Sequence, residues 1–144
     1  MPAPLIFMPF DAFLTKYQEA CSRFDADAID ACVAEDYAGE YRYPGSNVRA
    51  YDRAMLMDGW RSAREYFGPA GICLRYFNIA TAQREDERIV ISWVAMPVRG
   101  QETGVSLLLS TFRHTPEGWK LVHEFMQHRL TKDATSDEGI PGTT

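Results

Sequence analysis

The fold is decided by four runs of sequence: "ICLRYFNIATA" (72–82), "RIVISWVAMPV" (88–98), "GVSLLLSTFRH" (104–114) and "GWKLVHEFMQHRL" (118–130). All four are rich in β-branched and aromatic residues, and they are separated by the polar connectors "QREDE", "RGQET" and "TPE", which have the length of hairpin loops. The pattern predicts four antiparallel strands of about 11 residues each, or roughly 35 Å. Strands of that length must twist and coil.

Helical patterns precede the strands. From residue 11 an apolar stripe recurs at spacings of three and four, formed by Phe13, Leu14, Tyr17, Ala20, Cys21 and Phe24. The stretch "DADAIDACVAEDY" (25–37) predicts a second short helix, with Ala28, Ile29, Cys32 and Val33 on its buried side. "YAGEYRYPG" (37–45) predicts a short extended piece that ends at Pro44. "YDRAMLMDGWRSAREYFG" (51–68) predicts a third helix, which Asp52 caps and Gly68-Pro69 ends.

Helices followed by antiparallel strands predict an α+β fold, with the helices packed on one face of a strongly curved sheet. Such a sheet, curled around three helices, forms a cone with an open end and an interior pocket. We predict a single domain over residues 1–130, in which "MPAPLIFMPF" (1–10) is an arm that packs on the domain or on a partner. The polar stretch 131–144 is predicted to be a flexible tail.

Composition argues against two classes of function. Apolar residues make up 46% of the chain, charged residues make up 24%, and the net charge is −5 with Lys and Arg scattered. A protein that binds nucleic acid or an anionic membrane surface needs clustered positive charge, so both are disfavoured. Three cysteines without a C-x-x-C pair predict free thiols in a reducing compartment, and hence a cytoplasmic protein.

The chain resembles the nuclear transport factor two-like superfamily, and within it the SnoaL-like and ketosteroid isomerase-like groups. The resemblance rests on "YQEACSRFDADAIDACVAEDY" (17–37), on "YPG" (43–45) and on the closing "GWKLVHEF" (118–125). It implies a cystatin-like, cone-shaped α+β barrel. The superfamily includes isomerases, dehydratases, polyketide cyclases and epoxide hydrolases, as well as ligand-binding and assembly domains without chemistry, so the fold alone does not settle the function.

The resemblance also implies positions for a site. In ketosteroid isomerases a tyrosine of the first helix donates a hydrogen bond to the substrate oxygen, and Tyr17 matches it. The catalytic aspartate before the proline is replaced here by Tyr43, and the second oxyanion acid would fall near Ser110. A neutral phenol with a pKa of about 10 is a poor base at neutral pH, which argues against steroid isomerase activity.

Strand alternation, aligned with the family, predicts which side chains enter the cavity. On the last strand these are His123, Phe125 and Gln127. We predict Tyr17, Tyr43 and His123 as catalytic candidates, with His123 beside the tyrosines as an acid–base group; a histidine hydrogen-bonded to a neighbour without turnover is the alternative. The predicted ligand contacts are Met57, Trp60, Met96, Ser110, Phe125 and Gln127. No metal site and no cofactor are predicted, because no Cys–His cluster, phosphate loop or dinucleotide fingerprint is present.

Three functions remain open at this point. The first is a lyase or isomerase of the cyclase–dehydratase kind acting on a small, mostly apolar molecule. The second is a ligand-binding domain without catalysis, and the third is an assembly domain. A homodimer is predicted for each of the three functions, because the outer face of the sheet is too apolar to be exposed to solvent. The residues predicted on that face are Ile89, Ile91, Trp93, Ala95, Val105, Leu107 and Leu109.

Overall fold

The computed structural model describes residues 8–42, 47–98 and 102–131. The chain forms, in order, α1 (Phe10–Ser22), α2 (Ala26–Asp30), β1 (Val33–Arg42), β2 (Arg49–Asp52), α3 (Arg53–Phe67), a 3₁₀ turn (Gly68–Ala70), β3 (Arg75–Arg84), β4 (Glu87–Val98), β5 (Glu102–Thr115) and β6 (Gly118–Thr131). The predicted arm and tail lie outside the described residues, apart from a few residues at their inner ends.

Two aspartates set where the second and third helices begin. The side chain of Asp25 accepts a hydrogen bond from the backbone N–H of Ala28, and that of Asp52 accepts one from Met55. Each carboxylate thereby satisfies a backbone donor that the first turn of a helix leaves without a partner. The predicted third helix and its cap are confirmed.

The described strands form a single six-stranded sheet in the order β2-β1-β6-β5-β4-β3. The four predicted strands pair antiparallel with their neighbours along the chain. The fold class is therefore confirmed: the helices pack against one face of a curved sheet. The sheet is nevertheless mixed, because β1 runs parallel to β6.

The predicted second helix is too long. α2 ends at Asp30, and β1 begins at Val33, so Cys32 and Val33 are not part of the helix. Cys32 instead accepts a backbone hydrogen bond from Leu121 across 2.7 Å, at the point where β1 joins β6. Pairing with a strand almost 90 residues away overrides the local helical pattern, because the backbone groups of β1 find a continuous partner there.

The core lies between α1 and the inner face of the sheet. The ring of Phe112 on β5, only 1% exposed, is surrounded by the rings of Phe10, Phe13 and Tyr17, with ring centres 5.4 to 5.6 Å apart. Leu121 is fully buried in the same cluster. The apolar stripe predicted for the first helix therefore does face the sheet.

One irregularity in β6 decides which of its side chains face the helices. His123 pairs with Thr111, but Leu121 pairs with Phe112, so Val122 is an extra residue without its own partner on β5. An extra residue of this kind shifts the alternation of a strand by one. The inner face of β6 consequently changes from Leu121 to Glu124 and continues through Met126 and His128.

Candidate functional site

A cavity of about 250 Å³ lies between α3 and the inner face of the sheet. Apolar and aromatic side chains make up nearly all of its lining, with one carboxyl group among them. The lining residues are Phe24, Tyr41, Tyr51, Met55, Leu56, Gly59, Trp60, Ala63, Phe67, Leu74, Tyr76, Val94, Leu108, Glu124 and Met126. The volume is close to the lower end of the roughly 300–1,000 Å³ typical of ligand pockets, so it suits a small molecule.

Glu124 is the carboxyl group of this cavity, and it is only 5% exposed. Its Oε1 accepts a hydrogen bond from the hydroxyl of Tyr37 at 2.9 Å and another from the hydroxyl of Tyr41 at 3.0 Å. The two hydroxyl oxygens are themselves 2.9 Å apart. Both tyrosine contacts therefore converge on one carboxylate oxygen and hold it in place.

The local sequence of β1 explains how two tyrosines reach the same atom. Tyr37, Gly39 and Tyr41 alternate on the inner face of the strand, and Gly39 is the register partner of Glu124. A Cβ atom at Gly39 would overlap the hydroxyl of Tyr37 and crowd its ring. The glycine thus leaves the space through which the Tyr37 side chain extends toward the carboxylate.

Two opposing effects act on the pKa of the Glu124 carboxyl group. Burial raises the pKa of the carboxyl group above its ordinary value, while the hydrogen bonds from Tyr37 and Tyr41 and the nearby His123 lower it; burial is the larger effect. Burial likewise raises the pKa values of both tyrosines, and the neighbouring carboxylate raises them further. The raised pKa values keep both tyrosines protonated, so they are hydrogen-bond donors, and Glu124 is an ionisable acceptor whose pKa burial shifts upward.

An aromatic wall faces the sheet across the cavity. Phe24 stacks on Phe67 with ring centres 5.3 Å apart and lies 6.2 Å from the ring of Trp60. The backbone of Phe24 has φ 56°, a left-handed conformation that is costly for a bulky residue. Packing of its ring in this wall offsets the strain, since the side chain is 1% exposed.

Two further clusters of polar side chains lie at the inner face of the sheet beside the cavity. Tyr17 and Tyr76 both hydrogen-bond with the thiol of Cys21, and burial raises the pKa values of all three groups. Two residues beyond Met126 on the same face of β6, Nδ1 of His128 lies 2.8 Å from the hydroxyl of Ser106. Burial lowers the pKa of this histidine. Both arrangements keep their members neutral at physiological pH.

The structure brings some of the predicted site residues to the cavity. Trp60 lines it. Ser110 is buried on the inner face as the register partner of Glu124, while Tyr17 and Met57 are buried in the adjoining core. Two others, Tyr43 and the side chain of Met96, lie outside what the structure describes.

The face predicted for the last strand is wrong. His123, Phe125 and Gln127 lie on the side of β6 opposite to Glu124 and Met126, because the extra residue Val122 shifts the alternation. On that outer face, Nε2 of His123 lies 3.1 Å from Oε2 of Glu40, and both side chains are partly exposed, at 38% and 43%. The predicted convergence of His123 with Tyr17 inside the cavity is therefore not present.

Sequence reasoning missed Glu124 as a site residue. A signal was present, since Glu124 is the lone acidic residue in the run "LVHEFMQH" (121–128), among the apolar residues of a predicted strand. A carboxyl group in such a strand must have hydrogen-bond donors close by. Tyr37 and Tyr41, spaced by four on another strand, supply them.

Comparisons with known proteins agree with this architecture. No protein-family model matches the chain, and no curated protein matches it. Among solved structures, an NTF2-like protein of unknown function from Silicibacter pomeroyi superposes with a TM-score of 0.65 at 14% identity, over 83% of this chain and 92% of that one. The chain has the fold of the NTF2-like superfamily.

Two more solved structures show the range of names attached to this fold. One is called a proposed dehydratase of the NTF2-like family, from Streptomyces avermitilis, with a TM-score of 0.58 and 19% identity over 82% of this chain and 91% of that one. The other is called a proposed association domain of a calcium/calmodulin-dependent protein kinase type II, from Thiobacillus denitrificans, with a TM-score of 0.59 and 20% identity over 81% of this chain and 92% of that one. These likenesses establish the NTF2-like fold and no activity.

No three His, Cys, Asp or Glu side chains within residues 8–42, 47–98 and 102–131 are grouped so that they could hold a metal ion. None of the helices there combines the length and the apolar character that a membrane crossing needs. All three cysteines are free thiols, two of them buried.

Proposed function

We propose that this protein binds a small, mostly apolar molecule in the cavity and acts on it as a lyase or isomerase of the cyclase–dehydratase kind, with Glu124 as the proton-transfer group. The observation that carries the proposal is the position of Glu124. It is a buried carboxyl group in the lining of an apolar cavity, and two tyrosine hydroxyls hold one of its oxygens. A group arranged in this way is typical of catalytic acids and bases.

The chemistry follows from the state of that group. An ionised Glu124 takes a proton from the carbon next to a carbonyl group of the ligand; the electron pair of the C–H bond forms a C=C bond, and the C=O π pair moves onto the carbonyl oxygen. In an isomerisation the C=O bond re-forms, the C=C bond shifts into conjugation with it, and the protonated carboxyl group returns the proton to the γ-carbon. In a dehydration the C=O bond re-forms, the C–O bond to the β-hydroxyl group breaks, and the protonated carboxyl group gives its proton to that hydroxyl, which leaves as water. Tyr37 and Tyr41 keep the carboxylate oriented throughout, because both donate to Oε1.

Glu124 takes the role that the sequence suggested for Tyr17, Tyr43 and His123. The hydroxyl of Tyr17 is engaged with Cys21, and His123 lies on the opposite face of the sheet, 3.1 Å from Glu40. The similarity to the Streptomyces avermitilis protein, called a proposed dehydratase, is compatible with this reaction class. Trp60 and the other aromatic rings of the wall would enclose the apolar part of the ligand.

Occupancy of the cavity is tested by filling it. Ala63 lines the cavity, whereas Ala54, on the same helix, is exposed, so Ala63→Phe and Ala54→Phe form a matched pair. We expect cyclohexylmethanol to bind the wild-type protein and the Ala54→Phe variant, as followed by NMR titration, and to lose binding in Ala63→Phe. Equal binding by both variants would show that the ligand does not enter this cavity.

Turnover is tested with Glu124→Gln, which keeps the shape of the side chain and removes its charge. Small β,γ-unsaturated ketones test for isomerisation, and small β-hydroxy ketones test for dehydration, both through the absorbance of the conjugated product. Where the wild type turns over, Glu124→Gln should lose on the order of 10²- to 10⁴-fold in rate. Glu40→Gln on the outer face is the control and should keep the rate. Binding without any wild-type turnover would favour the ligand-binding domain.

The third function, assembly, is favoured by the outer sheet face. Ile91, Trp93, Leu107 and Leu109 are only partly buried there and lie side by side on β4 and β5. An apolar area of this kind is typical of an interface, so we propose that it joins two copies of the chain in a homodimer. The similarity to the protein called an association domain agrees with such a role. Because its three cysteines are free, we propose a cytoplasmic location for the protein.

A further inference from the structure

The charge of the cavity lining is unbalanced. Six aromatic residues contribute to it: Phe24, Tyr41, Tyr51, Trp60, Phe67 and Tyr76. Glu124 is the carboxyl group among them, and the lining that the structure describes contains no Lys, Arg or His side chain. The cavity thus offers one ionisable carboxyl group and several aromatic rings, without a basic side chain in the described lining.

The side chains that face Glu124 do not supply a positive charge to balance its carboxylate. From β1 it is contacted by the hydroxyls of Tyr37 and Tyr41, and from α1 and β3 it is approached by neutral groups, Tyr17 with Cys21 and Tyr76. His123 is the neighbouring group that could carry positive charge, and it is on the other side of the sheet. Hydrogen bonds stabilise a buried carboxylate in part, but they do not neutralise its charge.

We propose that the ligand of this cavity is a small apolar cation, an ammonium compound whose positive nitrogen lies against Glu124 and whose hydrocarbon part lies among the aromatic rings. The proposal rests on the proposed function, in that it names the class of molecule that the same cavity binds. A positive nitrogen restores the charge balance that the lining lacks, and aromatic rings attract cations to their faces.

Other ligand charges fit the same surroundings less well. An anionic ligand would be repelled by Glu124 and would find no basic side chain in the described lining. A neutral alcohol or ketone would gain one hydrogen bond with the carboxyl group, which is worth less than a charge-assisted contact in an apolar site. The cavity should therefore discriminate by charge among molecules of equal size.

The pH dependence of binding has a definite sign. Burial raises the pKa of Glu124 in the empty cavity, so on acidification the carboxylate becomes protonated at a pH above its ordinary range. An ammonium ligand binds the ionised form better, so its affinity should fall as the pH drops through that pKa. An alkylamine stays protonated over this window because its own pKa is about 10.

The test uses three probes with the same ring: cyclohexylmethylammonium, cyclohexylmethanol and cyclohexanecarboxylate. Isothermal titration at neutral pH should give the tightest binding for the ammonium probe, by about 10-fold or more over the alcohol, which corresponds to the loss of one charge-assisted contact. The carboxylate probe should bind most weakly. In Glu124→Gln the preference for the ammonium probe should disappear, whereas Glu40→Gln, the matched change on the outer face, should retain it.

Each result bears on the proposal. A preference for the ammonium probe that depends on Glu124 and weakens in acid supports it. Alcohol binding as tight as ammonium binding, or ammonium binding unchanged in Glu124→Gln, overturns the cation proposal and leaves the proposed function of the cavity intact. Failure of all three probes to bind the wild-type protein overturns both.

Discussion

Tyr41→Phe removes one of the two hydroxyls that hold the buried carboxylate and leaves the rest of the side chain in place. The hydroxyl lies 3.0 Å from Oε1 of Glu124 and 2.9 Å from the hydroxyl of Tyr37. The ring itself packs edge-on against Tyr51, with ring centres 4.5 Å apart, and a phenylalanine keeps that contact. The substitution therefore tests the hydrogen bond rather than the packing.

The size of the effect depends on the charge of Glu124. A hydrogen bond to a charged group contributes about 1.5–3 kcal/mol to stability, and one between neutral groups contributes about 0.5–1.5 kcal/mol. The hydroxyl of Tyr41 lowers the pKa of Glu124, so its removal raises further a pKa that burial has already raised. A carboxyl group with a raised folded-state pKa stabilises the protein fully below its unfolded pKa, and this contribution is lost as the pH rises through the folded pKa.

The loss of stability in Tyr41→Phe should therefore be small in acid and larger at neutral pH. Urea unfolding followed by circular dichroism at about pH 4 and about pH 8 measures both values. Tyr66→Phe is the control, because Tyr66 is 66% exposed, and it should change the free energy of unfolding by less than about 0.5 kcal/mol at either pH. In a Glu124→Gln background the pH-dependent part should vanish, since glutamine does not ionise.

Two outcomes would refute this reasoning. An equal loss at both pH values would mean that the hydroxyl of Tyr41 does not respond to the charge of Glu124. A loss that keeps its pH dependence in the Glu124→Gln background would assign that dependence to another group.

Three further changes test other parts of the structure. Gly39→Ala should push the ring of Tyr37 away from the buried carboxylate and destabilise the fold by about 1–3 kcal/mol in urea unfolding, the usual cost of overpacking; unchanged stability would contradict the close approach. Trp93→Ala combined with Leu107→Ala should convert the proposed dimer to monomers or aggregates in sedimentation, because central apolar anchors dominate interfaces; a monomeric wild-type protein at micromolar concentration would refute the interface. Phe112→Ala should lower the free energy of unfolding by about 3–5 kcal/mol, measured by thermal unfolding, since three rings surround that side chain. A loss below about 1 kcal/mol, the size of an ordinary substitution, would mean that the neighbouring side chains move in to fill the gap.

Much of the fold follows from local patterns. The spacing of Phe13, Leu14 and Tyr17 specified a helix with one buried face. The alternation in β4 and β5 specified which side chains share a face, and the set that the resemblance placed inward is buried: Ser92, Val94, Ser106, Leu108 and Ser110. Side-chain periodicity is a property of the backbone geometry of each element, so it can be recognised without knowing the neighbours of that element.

The end of α2 and the start of β1 do not follow from local patterns. Cys32 and Val33 continue a helical spacing, yet they are placed in or beside a strand because β6 offers parallel hydrogen bonds to that part of the chain. The partner strand lies almost 90 residues further along, so no window of sequence around Val33 contains the information.

What the sequence by itself determined is therefore the α+β class, the order of the three helices and the four long strands, and the apolar character of the space between them; the short strand β2 was not predicted. What only the tertiary structure decided is the chemistry inside that space. Val122 is left without a partner when β6 pairs with β5, and this one-residue shift turns Glu124 inward and His123 outward. The physical reason is that a strand alternates with a period of two, so a single unpaired residue reverses the face of every side chain beyond it, and only pairing with another strand determines where that residue occurs.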